Sequence, residues 1–112
     1  MDVIGIYRSQ DGSLKTLINN LQDIINLDKT TLILGDVNIC QIERPKNKLC
    51  TFLAEQSFKQ IIKKATHIDG GHIDHAYIMN KGNYEEDPHV ETIAKYYSDH
   101  DAICITLKKK TN

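Results

Sequence analysis

The chain has 112 residues, 40% of them hydrophobic and 26% charged, which suits one globular domain and excludes a collagen-like or disordered chain. Fourteen Lys and Arg against fifteen Asp and Glu leave a formal charge of -1, which also excludes a protein that holds nucleic acid by bulk charge alone. No apolar run approaches the roughly 20 residues needed to cross a bilayer. Residues 1–20 carry Asp2, Arg8, Asp11 and Lys15 where a signal peptide would be apolar, so an intracellular protein, cytoplasmic or nuclear, with no membrane partner is expected. Three cysteines, Cys40, Cys50 and Cys104, show no CxxC spacing and read as buried thiols, not as disulfides or a zinc-thiolate site.

In chain order, Asp2 to Arg8 is short and β-branched and runs into Gln10-Asp11-Gly12, a strand ending in a turn. Ser13 is placed to cap a helix over residues 14–27. Its face is Leu14, Leu17, Ile18, Leu21, Ile24 and Ile25, with Lys15, Asn19, Gln22 and Asp23 opposite. Thr31 to Leu34 is continuously apolar and predicts a central strand covered on both faces, stopping at Gly35-Asp36. Val37 to Lys46 reads as a loop. Asn47 is placed to cap a second helix, with Leu49, Phe52 and Leu53, to about Gln56. Four further strands are predicted at Phe58–Ile62, Ile73–Ile78, Thr92–Tyr97 and Ala102–Leu107. Strand, helix, strand, helix and then strands make an α/β (α+β) chain: a mixed sheet with helices packed on it. Lys108-Lys109-Lys110 reads as a solvated terminus, not a nucleic-acid patch.

Acidic, amide or imidazole groups sit at the ends of apolar strands in three places, where a rigid sheet can aim them at one point. In Gly35-Asp36-Val37-Asn38, the Asp and Asn share a face if the strand geometry continues, and both then reach one phosphate or metal; an Asx turn is the plainer reading. In Gly71-His72-Ile73-Asp74-His75, the Asp74 carboxylate opens an apolar strand and needs a partner, with a histidine the natural one. In Ser98-Asp99-His100, a metal-binding carboxylate beside a base is a useful pair for hydrolysis.

In this order, GDVN, HIDH and SDHD resemble the motifs of the endonuclease/exonuclease/phosphatase (deoxyribonuclease-I-like) family, and the resemblance runs from Ile4 to Leu107. Gly71 to His75 and Tyr96 to Asp101 look most like the nuclease domains of mobile elements. The resemblance implies the C-terminal half of a four-layer α/β sandwich, with helices on one face of the sheet, forming a single domain truncated on its N-terminal side. It also implies metal-dependent phosphodiester hydrolysis, with DNA the favoured substrate. Asp36 would activate or position the attacking water, and Asn38 would hold a phosphate oxygen. Asp99, with Asp36, would hold a weakly bound magnesium or manganese ion. His100 would act as base or as a protonated stabiliser of the pentacovalent phosphate, oriented by Asp74. Tyr7 resembles the family's active-site tyrosine.

The family's early Asn and metal-binding Glu have no counterpart here, so weak or no activity is expected from this chain alone. A bared apolar sheet face is also expected, covered by a homodimer or an N-terminal partner chain or else a cause of poor solubility. Two other readings stay open. His67, Asp69, His72, Asp74 and His75 crowd within nine residues and would make a zinc site. Alternatively the chain is an inactive remnant that binds DNA or protein, with Arg8, Arg44, Lys46 and Lys48 contacting phosphates.

Overall fold

Residue alternation organises the first strand, β1 (Asp2–Tyr7), in which Ile4 and Ile6 turn inward while Val3 and Tyr7 are exposed. The structure is a computed structural model that describes residues 1–9, 11–39, 46–62, 74–86, 88–93 and 102–110. Helix α1 (Leu14–Ile24) starts where Ser13 Oγ accepts the Thr16 N–H at 3.2 Å, a side-chain cap for an otherwise unpaired first-turn donor. It ends three residues earlier than the apolar spacing predicts. There Asn26 Oδ1 accepts the Asp28 N–H at 2.9 Å, and this local turn competes with further helix. Ile24, expected on the inner face, is exposed.

Strand β2 (Thr31–Asp36) pairs parallel with β1, making a β-α-β unit with α1. Helix α2 (Lys48–Glu55) is capped by Asn47, whose Oδ1 accepts the Cys50 N–H at 2.8 Å. The end of α2 is a Schellman closure: Phe58 N–H donates to Leu53 O and Ser57 N–H to Ala54 O, with Ser57 left-handed at φ 70°. Strand β3 is short (Lys59–Gln60), because the Gln60 Oε1 turns back to accept the Ile62 N–H at 2.6 Å. Strand β4 (Asp74–Met79) then pairs antiparallel with both β2 and β3, giving a mixed sheet in the order β1-β2-β4-β3.

The two faces of this sheet bury different residues. Ile33, Tyr77 and Met79 pack with Leu21 of α1 and Leu49 and Leu53 of α2, so both helices lie on one face. Leu32, Ala76 and Ile78 face the other way, against Ile61 and Ile62 and against Val90, Ile105 and Leu107. The last three belong to or adjoin a separate antiparallel hairpin of β5 (His89–Ile93) and β6 (Ala102–Thr106). These strands therefore lie across the sheet and do not extend it, and β5 begins three residues before the predicted Thr92. The hairpin covers the middle of the face expected to be bare, leaving Val3 and Tyr7 exposed at its β1 edge. The molecule is a small α+β domain with a mixed sheet and two helices. Among the described residues, no helix is long and apolar enough to cross a membrane. Cys50 is half-buried and Cys104 is exposed, both as thiols, so the expected burial fails for Cys104, which lies on a hairpin position pointing to solvent. Cys40 lies outside the described residues.

Candidate functional site

Three of the residues singled out from sequence fall in one row across the sheet. Tyr7 ends β1 opposite Asp36, and Asp36 ends β2 opposite Asp74, the first residue of β4. In-register residues project from the same side of a sheet, and here the side is fixed by their neighbours. Leu32 and Leu34 of β2 and Ala76 and Ile78 of β4 all pack on the hairpin side, so Asp36 and Asp74, at the same parity, project there too. Tyr7 follows Val3 on the exposed side of β1. Residues directly opposite in an antiparallel pair have Cβ atoms about 5 Å apart, and like charges so placed repel. The sheet thus holds two carboxylates together, with a phenol beside them that is 71% exposed. Tyr7 is no part of either hydrophobic cluster of the described residues.

Gly35 makes this arrangement possible. Its φ is 155°, and a Cβ there would lie 1.7 Å from the Ile6 carbonyl oxygen. Only a residue without a side chain lets β1 and β2 stay paired to the row of Tyr7 and Asp36.

Asn38 does not continue the strand, contrary to the condition on which a shared face with Asp36 was expected. Asp36 Oδ1 accepts the Asn38 N–H at 3.0 Å, an Asx turn, and Asn38 adopts φ 53°. One hydrogen of the Asn38 amide goes to the Arg8 carbonyl at 2.6 Å. Arg8 returns the contact: its Nε donates to Val37 O at 2.8 Å, Nη2 to Asn38 O at 3.3 Å and Nη1 to Gly12 O at 2.6 Å. Its backbone N–H donates to Asp36 O. The guanidinium considered for phosphate binding is committed to backbone carbonyls, which fixes the turn carrying Asp36 and Asn38.

His75 shows most clearly what sequence reading missed. Next to Asp74 on the strand, it points to the opposite face and is buried at 1% exposure. Its Nε2 donates to the Ile39 carbonyl at 2.9 Å, and its Nδ1 bonds the Tyr77 hydroxyl at 2.7 Å. The carbonyl can only accept, so the Nε2 carries a proton. His75 ties β4 to the segment beyond the Asx turn. The signal was present in strand parity, since Tyr77 is two residues on and shares the face of His75. Burial, and secondarily the nearby Cys50 sulfur, push the Tyr77 phenol well above its ordinary range.

Asp74 and His75 facing opposite ways separate two members of the proposed zinc cluster, whose other members, His67, Asp69 and His72, lie outside the described residues. Asp99, His100 and Arg44 lie outside them too. Among the described residues, no group of three or more His, Cys, Asp and Glu side chains is placed to hold a metal. Two carboxylates are nevertheless the complement that a magnesium ion usually takes from a protein, with water and substrate phosphate filling the remaining positions. Asp36 and Asp74 supply that number. Compared with known protein families the chain matches no family model, and it matches no curated protein.

Proposed function

We propose that the chain is the C-terminal half of a deoxyribonuclease-I-like domain and that its chemistry is metal-dependent hydrolysis of a phosphodiester, with DNA the favoured substrate. The observation that carries this reading is the row of Tyr7, Asp36 and Asp74 on one sheet face. These residues stand far apart in sequence and were assigned to one site from their motifs alone. Their face is the one on which the second sheet of such a sandwich would pack.

In this reading Asp36 activates or positions the attacking water, whose oxygen bonds to phosphorus as it gives up a proton, while the bond to the leaving oxygen breaks and that oxygen takes a proton from solvent. A magnesium or manganese ion, held by Asp36 with Asp74 or Asp99, would polarise the phosphate. The second hydrogen of the Asn38 amide is suited to a phosphate oxygen, on a turn kept rigid by Arg8 and His75. The exposed Tyr7 phenol supplies another donor. His100 serves as the base that takes the water's proton or, protonated, stabilises the negative charge of the pentacovalent phosphate. An intracellular setting goes with this chemistry, and with cysteines kept as thiols.

The test is nicking of supercoiled plasmid with magnesium or manganese, comparing the chain with its Asp36→Ala and His100→Ala variants. Slow nicking is expected, reduced about a hundredfold or more in each variant, the usual worth of a positioned acid or base. Nicking that both substitutions leave untouched, or none with either metal, would overturn hydrolysis as this chain's activity and leave a binding module.

A further inference from the structure

At the opposite end of the sheet from Tyr7, Asp36 and Asp74 lies a cleft of about 520 Å³ lined by Asp28, Lys29, Thr30, Asn83, Tyr84, Lys109 and Lys110. Its walls are the residues leading into β2, the turn following β4 and the segment following β6. We propose that this cleft binds a small phosphate-bearing anion of at least two negative charges, of the diphosphate kind.

Charge argues for it first. The chain as a whole is at -1, yet three lysines against one aspartate line the cleft, a local excess that a dianion would neutralise. Construction argues for it next, because the walls are bonded to one another. The Thr30 hydroxyl accepts the Lys81 N–H at 2.9 Å and donates to Asn83 Oδ1 at 3.3 Å. Asn80 closes the turn by accepting the Gly82 and Tyr84 N–H groups and donating to Tyr84 O. The lysine-bearing segment is fastened to that turn by Glu85 N–H to Lys108 O at 2.7 Å and Lys110 N–H to Asn83 O at 3.0 Å. Lys109 and Lys110 are exposed, as the solvated run predicts, and stand on backbone held in place along the cleft. The volume is in the range of a small-molecule site.

The cleft lies far from the row at the other end of β2, five residue steps or about 17 Å along the strand, so the inference does not rest on the hydrolysis reading. The test is a titration of the full chain with inorganic pyrophosphate, and separately with a nucleoside diphosphate, at constant ionic strength, followed by amide NMR. Saturable shifts confined to Lys29, Gly82, Asn83 and Tyr84 are expected, with Kd of about 1 mM for exposed ammonium contacts. Lys29→Gln and Lys109→Gln should each weaken binding about threefold to fivefold while leaving the rest of the spectrum unchanged. Equal affinity for both probes identifies the anion as the whole determinant, and tighter nucleoside diphosphate binding adds a base contact; either supports the proposal. Shifts that sodium chloride reproduces, that never saturate, or that survive both lysine substitutions would overturn it. So would a single-stranded oligonucleotide that moves these amides when pyrophosphate does not.

Discussion

Gly35 is where one atom decides the most. A Cβ placed 1.7 Å from the Ile6 carbonyl cannot be absorbed by a side-chain shift, because the obstacle is backbone. Gly35→Ala is therefore expected to cost roughly 3 kcal/mol or more, read as a lowered midpoint in urea with an unchanged slope. A cost below about 1 kcal/mol would mean that β1 and β2 separate freely at this row. Tyr77 allows a second test. Tyr77→Phe removes a buried hydrogen bond to His75, at about 1 kcal/mol near neutral pH. Burial raises the Tyr77 pKa in the folded state, so the unfolded chain loses the phenolic proton first. Stability from this group is complete below about pH 10 and is lost as pH rises beyond it. The phenylalanine variant should lack that part of the alkaline decline, as denaturation at paired pH values would show.

Helix starts were readable because a capping side chain acts within its own few residues. Ser13 and Asn47 do what their types at those positions predict. Helix ends were less readable, since Asn26 can either continue α1 or take the Asp28 N–H, and apolar spacing does not choose between them. Ser57 closes α2 in a conformation that glycine adopts without strain. Ser57→Gly should accordingly stabilise the protein by about 0.5–1 kcal/mol, seen as a rise in Tm; a fall would imply that the serine side chain makes a contact worth more than the strain. The hairpin was read as strands but placed wrongly. Alternation in Val90, Ile105 and Leu107 shows that one face is buried, and it does so equally whether a strand joins a sheet edge or lies across the sheet.

Among the described residues the two ends of the sheet differ in charge, with Asp36 and Asp74 paired at one and three lysines against Asp28 lining the cleft at the other. Tyr7, Asp36 and Asp74, named from the family resemblance, fall in one register row. That resemblance was not enough to find the role of Arg8, whose partners are backbone carbonyls that any sequence possesses, while His75 was legible only through the parity it shares with Tyr77. The central claim is that Asp36 and Asp74 form one cation-accepting site on the face shared with Tyr7. Paramagnetic broadening of amide resonances by manganese tests it without depending on turnover. Loss of signal is expected first at Tyr7, Asp36 and Asp74, abolished by Asp36→Asn. Broadening centred elsewhere, or unchanged by that substitution, would contradict it.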